Sequence, residues 1–386
     1  MEAEKGQGMQ NNPFELDAMD ILEGIRPWVE IESPTTEPDA VNRLVDLVEG
    51  EFESIGMQVE RIPGRDQRGD HLRARTPWGG EGPGILVLGH LDTVHPLGVL
   101  HNQLPLRIEG NLVYGPGIAD MKGGAYLALN AVRYLMAQGQ TTPLPITFVY
   151  NSDEEVGSRT SKDLIEATAR QAKHVLVCEP GRHGGSVVTA RKGSGRFTVR
   201  VTGQPSHSGT NHADGRSALK ELAHQILQLE AMTDYERGIT VNVGVASGGT
   251  QPNVVPGEAM AEVDLRMSTP ETAEEMAGKI LGLQPITPDV AIAVTGQLNR
   301  YPYTKNEAID RLYQHAKGLA AEIGLDLPEM ATGGGSDGNF TAAMGLPTLD
   351  ALGADGAYAH TYHEHIFLDQ LVPRQTLLIR LLQTLV

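Results

Sequence analysis

The chain has 386 residues, and its 31 lysines and arginines face 49 aspartates and glutamates, for a formal net charge of −18 at pH 7. This acidic excess disfavours nucleic acid or an anionic membrane as a partner, because either would require a basic face. The one cysteine, Cys178, excludes an internal disulfide framework and a cysteine-based zinc cluster.

The first 190 residues read as alternating helices and strands. Residues 17–57 have apolar positions at helical spacing, and a second helical stretch covers 125–135. Short apolar runs flanked by turn residues predict strands at 85–88, 146–150 and 175–177. The alternation predicts βαβ units and a mostly parallel sheet covered by helices.

The pattern changes near residue 190. Alternating apolar and polar residues, and two stretches of helical spacing, predict the order β-α-β-β-α-β of a ferredoxin-like α+β fold. The strands fall near 197–201, 241–245, 259–267 and 290–294, and the helices near 218–227 and 271–283. Helical spacing returns at 309–323 and 373–386, with a strand candidate at 347–352. We therefore expect an α/β domain at 1–189 and 299–386, with a second domain inserted at 190–298.

No apolar run approaches the roughly 20 residues of a membrane span. The N-terminal residues also lack the basic and apolar regions of a signal peptide. We expect a cytoplasmic protein with no membrane partner.

Four segments that carry acidic residues or histidines follow apolar runs or turns of the predicted α/β region: 89–94, 115–124, 151–158 and 178–180. Ligands of open α/β sheets bind at the carboxyl ends of strands, so these segments could form one site. Oxygen and imidazole donors suit zinc, manganese or cobalt. Taken singly, each residue has an ordinary interpretation: His90 as a polar strand end, Asp120 as a helix N-cap, Glu154 and Glu155 as a solvated pair.

Together with further motifs along the chain, these segments resemble the M20 family of metallopeptidases, and within it the glutamate carboxypeptidases. The match covers nearly the whole chain in order. The segments that carry it are GHLDTV at 89–94, GPGIADMKGG at 115–124, DEEVG at 153–157, CEP at 178–180, GQPSHSG at 203–209, PNVVPG at 252–257, VDLR at 263–266, GGGSDG at 333–338 and AHTYHEH at 359–365.

The resemblance implies two divalent metal ions, zinc with cobalt or manganese as alternatives. His90 would bind one ion, Asp120 would bridge both, and Glu155 and Glu179 would each bind one.

The last ligand implied by the resemblance is a histidine near the C-terminus. The family pattern, a histidine with an acid four residues later, fits His360 with Glu364. His363 is the next alternative, and His365 also competes.

Two further acids have implied roles near the metals. Asp92 would orient and polarise the imidazole of His90, as metal-bound histidines generally require. Glu154 would act as the general base on a metal-activated water, a task that a carboxylate already bound to metal performs poorly.

The resemblance implies that 1–189 and 299–386 form the catalytic domain and that 190–298 is a dimerisation or lid domain. It also assigns substrate contacts to the inserted domain and to the GGGSDG segment. His207 would reach the active site of a partner subunit and steady the oxyanion, and Arg266 would clamp a substrate carboxylate. The remaining candidates are Asn253, Gly334, Gly335, Ser336, Arg191 and Lys192.

The resulting expectation is a homodimeric metal-dependent hydrolase that releases a glutamate-like C-terminal amino acid from N-acyl or short peptide substrates. An N-acyl amino acid deacylase, desuccinylase or dipeptidase of the same family is the alternative, and a non-enzymatic binding module is a further one. A dinucleotide site lacks a complete G-x-G-x-x-G between strand and helix, and a serine hydrolase lacks the G-x-S-x-G elbow.

Overall fold

The computed structural model describes residues 16–80, 82–182 and 184–386. None of the helices within these ranges is long and apolar enough to cross a membrane. The helices of the described residues are α1 (Ala18–Glu30), α2 (Pro38–Ser54), α3 (Gly123–Ala137), α4 (Lys162–Ala169), α5 (Ala218–Glu230), α6 (Pro270–Leu281), α7 (Glu307–Glu322), α8 (Gly338–Ala343) and α9 (Leu371–Thr384).

The strands of the same residues form several sheets. They are β1 (Gln58–Ile62), β2 (His71–Arg75), β3 (Gly84–His90), β4 (Arg107–Glu109), β5 (Leu112–Tyr114), β6 (Ile146–Asn151), β7 (Ala172–Val177), β8 (Val187–Arg191), β9 (Gly193–Thr202), β10 (Ser206–His207), β11 (Thr240–Gly248), β12 (Val254–Val255), β13 (Glu258–Met267), β14 (Ala291–Arg300), β15 (Glu329–Thr332), β16 (Thr348–Leu349), β17 (Gly356–Ala357) and β18 (His365–Phe367).

The N-terminal helical segment comprises two helices, α1 and α2. Asp17 caps α1, its carboxylate accepting from the backbone N–H of Met19 at 2.7 Å. The chain breaks after α1, and α2 begins with Pro38 in its first turn, where the missing N–H of proline costs nothing. Both helices bury one apolar stripe, because their apolar residues recur every three to four positions.

The main sheet has the order β1-β2-β6-β3-β7-β16. Its centre is parallel, with β3 between β6 and β7, whereas β1 and β2 run antiparallel at one side. Every residue of β3 is buried, as expected for a strand covered on both faces. The predicted α/β fold with a mostly parallel central sheet is confirmed.

The β-α-β-β-α-β order is also confirmed, as β9-α5-β11-β13-α6-β14. These strands form one antiparallel sheet in the order β11-β13-β9-β14. The apolar faces of α5 and α6 share one core with the sheet. The inserted segment therefore has a core of its own, separate from that of the main sheet.

The described residues divide into two compact units. The first comprises the residues up to Val187, with Arg311–Pro328 and Leu349–Val386; the second comprises Val188–Asp310 and Glu329–Thr348.

We expected residues 299–310 and 329–348 in the catalytic domain, but they pack within the second unit. Two backbone hydrogen bonds link Arg191 and Tyr303, the N–H of Lys192 donates to the carbonyl of Thr332, and Arg300 forms a buried ion pair. The partner of Arg300 is Asp337, at 3.0 Å.

Candidate metal centre

Three parallel strands deliver candidate ligands to the same end of the main sheet. His90 is the last residue of β3, the turn that holds Glu154 and Glu155 follows β6, and Glu179 follows β7 by two residues. Since β6, β3 and β7 are neighbours, these side chains converge where ligands of open α/β sheets bind.

Asp120 arrives from a different sheet. It follows β5, which belongs to a four-stranded sheet in the order β17-β18-β5-β4. Its carboxylate lies between two imidazoles: Oδ1 is 3.2 Å from Nε2 of His90, and Oδ2 is 3.3 Å from Nε2 of His360. One buried carboxylate therefore contacts a histidine with each of its oxygens.

Each of these histidines has a second carboxylate neighbour. Nε2 of His360 is 3.1 Å from Oε2 of Glu155, and Nε2 of His90 is 3.9 Å from Oε1 of Glu179. The potential ligands thus fall into two groups that share Asp120.

These residues fit divalent metal binding. His90, Asp120 and Glu155 offer ligand atoms that all lie within 4.8 Å of one another, and so do His90, Glu154 and Glu179. Within the part of the chain that the structure describes, Oε1 of Glu155 is buried and accepts no hydrogen bond. A buried carboxylate oxygen of this kind is costly without a cation or donor. The donors are imidazoles and carboxylates, which suit zinc, manganese and cobalt.

The histidines and carboxylates of the centre shift one another's pKa values. Hydrogen bonds to Asp120 and Glu155 raise the pKa of His360 well above its ordinary value. Burial alone would raise the pKa of Asp120, but the imidazoles of His360 and His90 outweigh burial and lower that pKa. Burial dominates at Glu155, whose pKa is raised. Because the pKa values of His360 and Glu155 are raised, a metal ion binding at these side chains would compete with protons.

Asp92 anchors the turn beside the centre. Its fully buried carboxylate accepts from the hydroxyl of Thr35 at 2.7 Å and from the backbone N–H groups of Glu154 and Glu155 at 3.2 and 3.3 Å. Nδ1 of His90 is 2.9 Å from the backbone carbonyl oxygen of Asp92, but 3.6 Å from its carboxylate. Asp92 therefore orients His90 through its carbonyl group and the Glu154–Glu155 turn through its carboxylate.

Of the three candidate histidines near the C-terminus, His360 contacts Asp120 and Glu155. Its φ of +65° lies in the left-handed region, which is uncommon for a residue other than glycine. The rings of the two competing histidines have aromatic neighbours: His363 packs on Tyr358, and His365 packs on Tyr114, Tyr358 and Phe367.

Glu364 is a functional candidate that the sequence did not single out beyond its place in a motif. Its carboxylate is buried and accepts from the backbone N–H groups of Gly117, Ala119 and Asp120 at 3.0, 2.9 and 3.0 Å. Nε2 of His95 lies 2.6 Å from the same carboxylate. These partners are more than 240 positions away in sequence, so no local pattern marks them.

His207 and Asn253 are neighbours in the second unit. His207 lies in β10 and pairs with Val254 of β12, and the backbone carbonyl of Asn253 accepts from the N–H of Ser208. Nδ1 of the exposed His207 accepts from the backbone N–H groups of Gly209 and Thr210 at 3.1 and 3.2 Å. This arrangement assigns the ring proton of a neutral imidazole to Nε2.

The other expected substrate residues of the second unit have partners within it. The guanidinium of Arg266 donates to both carboxylate oxygens of Asp264, at 2.9 and 3.2 Å. The N–H of Ser336 donates to the side chain of Asn339. The carbonyls of the GGGSDG segment are held by two buried arginines: Arg191 donates to Gly334 and Gly335, and Arg300 to Ser336.

Imidazoles and carboxylates gathered at the carboxyl ends of parallel strands form a candidate metal centre in an α/β fold. The family model for Peptidase family M20/M25/M40 matches residues 86–384, and the chain belongs to this family. It is therefore an enzyme of the metallopeptidase and amidohydrolase type.

Known relatives cover most of the chain. Carboxypeptidase G2 of Pseudomonas sp. strain RS-16 is 30% identical over 351 residues, covering 88% of this chain and 83% of the relative. Succinyl-diaminopimelate desuccinylase of Delftia acidovorans is 27% identical over 387 residues, covering 92% and 96%. A tripeptidase from Staphylococcus aureus has the same fold, with a TM-score of 0.75 at 19% identity, covering 95% of this chain and 98% of that one.

Proposed function

We propose that this enzyme cleaves an amide or peptide bond next to a free carboxylate and releases a glutamate-like C-terminal amino acid. The substrates would be N-acyl amino acids or short peptides. The similarity to carboxypeptidase G2 over most of both chains supports release of the amino acid at the C-terminal end of the substrate.

The observation that carries the proposal is the position of Asp120 between two histidines. We assign His90 and Glu179 to one divalent ion, His360 and Glu155 to another, and Asp120 to both. Zinc is the expected metal, with cobalt or manganese as alternatives. Divalent ions held there would polarise the scissile carbonyl and lower the pKa of a water molecule toward about 7.

We assign the proton transfers to Glu154. It would take a proton from the attacking water and deliver it to the leaving nitrogen. Its backbone N–H is already bound by Asp92, which supports a fixed position for the turn from which its side chain extends.

Substrate recognition is assigned to the second unit. Arg266 would bind the free carboxylate of the substrate as a bidentate partner, exchanging its present bonds to Asp264 for the ligand. His207 would steady the oxyanion, with Asn253, Gly334, Gly335 and Ser336 as further contacts. The side chain of His207 is exposed, and its Nε2 would donate to the oxyanion while Nδ1 keeps its bonds to Gly209 and Thr210.

A homodimer through the second unit is part of the proposal. The edge strand β11 is exposed over most of its length, and Val245 on it is 51% exposed. Leu227 on α5 is 71% exposed. An open strand edge beside exposed apolar side chains favours pairing with a second copy. Light scattering on a size-exclusion column would report the mass of the assembly.

The cytoplasmic location stays a prediction.

Hydrolysis of a panel of N-acyl amino acids, scored by kcat/KM with defined zinc, cobalt or manganese, tests the function. We expect N-acyl glutamates to be cleaved, cleavage to stop with a chelator and to return with metal. The matched control is the same N-acyl glutamate with its α-carboxylate converted to an amide, which should be a poor substrate. Hydrolysis that is independent of metal, or absent with every metal, would contradict the proposal.

An N-acyl amino acid deacylase or desuccinylase is the second candidate. The desuccinylase of Delftia acidovorans aligns over nearly the whole of both chains, which favours including N-succinyl substrates in the panel. A higher kcat/KM for an N-succinyl diamino acid than for any N-acyl glutamate would select this alternative.

A further inference from the structure

Glu364 connects the two segments that carry Asp120 and His360. It lies four residues after His360, and its carboxylate accepts the N–H groups of Ala119 and Asp120 on one oxygen and that of Gly117 on the other. These hydrogen bonds are made to backbone N–H groups and not to the side chains proposed to bind metal. Its contacts are with the backbone from which the Asp120 carboxylate extends.

The position of this backbone matters because the Asp120 carboxylate contacts His90 and His360 at the same time. Its oxygens lie 3.2 and 3.3 Å from the two imidazoles. A small rotation of the 117–120 segment would improve one of these contacts at the expense of the other. Three amide hydrogen bonds to one buried carboxylate restrict that rotation, and ionised acceptors form the stronger hydrogen bonds.

His95 holds Glu364 from the other side. Its buried Nε2 is 2.6 Å from the oxygen that also accepts the Gly117 N–H. Because an ionised carboxylate can only accept, Nε2 of His95 must carry the proton. The carboxylate thus has four donors around its two oxygens, which fixes its own orientation.

We propose that Glu364, held by His95, is a positioning residue for the metal centre: it sets the Asp120 backbone so that one carboxylate can serve both groups of ligands. This inference rests on the proposed metal-dependent function. Partners that orient metal ligands typically change metal affinity by roughly 10–100-fold when they are replaced.

The test is the metal affinity of Glu364→Gln, measured by competition with a chromophoric chelator for zinc. The amide side chain has nearly the same volume, but its NH2 group cannot accept, so at least one of the backbone N–H groups loses its acceptor. We expect zinc affinity to fall by roughly 10–100-fold. Activity should recover at higher zinc concentration, with KM for the substrate near that of the unmodified enzyme.

Glu221 provides the matched control. It is a fully buried glutamate of the second unit that accepts from the backbone N–H groups of Ile286 and Thr287 and from the side chain of Gln225. Glu221→Gln breaks the same kind of contact, so it should lower the melting temperature while zinc affinity stays unchanged. A merely structural role for Glu364 would give this same result.

The outcomes separate the two proposals. If the unmodified enzyme does not bind zinc, cobalt or manganese, the proposed function fails. If it binds metal and folded Glu364→Gln binds it equally well, the positioning role is overturned. Should Glu364→Gln fail to fold, His95→Phe, which has a ring of similar size without a donor, decides in the same assay: weaker zinc binding supports the role, and unchanged binding overturns it.

Discussion

Glu154→Gln separates the proposed base from the proposed metal ligands. The substitution keeps the side-chain volume but removes the group that accepts the proton. The turn should persist, because its backbone N–H groups are held by Asp92 and not by the side chain of Glu154. General bases contribute roughly 10²–10⁴-fold to turnover. That range corresponds to about 3–5 kcal/mol of transition-state stabilisation, which should appear in kcat with little change in KM.

The structure also allows Glu154 to be a metal ligand instead of the base. Glu154 offers an oxygen within 4.8 Å of ligand atoms of His90 and Glu179, so it could itself bind metal. Elemental analysis after dialysis, run beside kcat and KM, distinguishes the two roles. Glu155→Gln is the matched control, because the neighbouring glutamate contacts His360 and should lose metal when neutralised.

A Glu154→Gln variant with full metal content and a large loss of kcat supports the base. Reduced metal content in this variant would show that Glu154 is a ligand. Full metal content with unchanged kcat would refute the role of Glu154 altogether, and the proton would then have to be taken by another group.

Three further predictions follow from the contacts and charges. Asp120→Asn should lose both ions on dialysis, because the two groups of ligands share this carboxylate; metal content equal to that of the unmodified enzyme would count against the shared site. Because the pKa values of His90 and His360 are raised and metal binds the deprotonated ring, zinc affinity should rise between about pH 6 and about pH 8 with release of protons, measurable by titration calorimetry in buffers of different ionisation enthalpy. Burial would raise the pKa of Glu221, but its hydrogen bonds lower it to about 2, so its contribution to stability is present above the ordinary pKa of 4.5 and is lost as the pH falls toward about 2. Thermal melts of Glu221→Gln should therefore show less loss of stability over that interval than melts of the unmodified chain.

Much of the fold could be predicted because its signals are local. Apolar and polar residues alternate from Phe197 to Thr202 in β9 and from Ala261 to Met267 in β13, and the sheet has the predicted order of elements. The buried strand β3 also appears as a continuous apolar run. In contrast, β1 and β2 lie at one side of the main sheet and have no continuous apolar run, since β1 contains Glu60 and Arg61 and β2 contains Arg73 and Arg75, and neither strand was predicted.

The part of the candidate site that lies at the ends of predicted parallel strands could be predicted from the sequence. His90 and Glu179 follow apolar runs that pair as parallel neighbours, so their convergence follows from topology. Asp120 does not, because it follows a three-residue strand in another sheet, too short for a periodic signal. The contact between His95 and Glu364 spans 269 positions, and only the folded chain brings these residues together.

The net charge of −18 is a poor guide to what the centre attracts. Five carboxylates surround it, from Asp92, Asp120, Glu154, Glu155 and Glu179, and the nearby cations are the two imidazoles and the guanidinium of Arg182, which lies 3.8 Å from Glu179. Even with both imidazoles protonated, the acids remain in excess, which opposes an anionic substrate. Two divalent ions bound in place of the imidazole protons would cancel this excess, because their charges and that of Arg182 together equal those of the five carboxylates, and bound ions are the largest charges in such a site. A centre whose excess negative charge is cancelled by bound metal would explain how an acidic enzyme acts on the carboxylate substrates proposed above. A measured dissociation constant for N-acyl glutamate that is the same with and without metal would contradict this explanation.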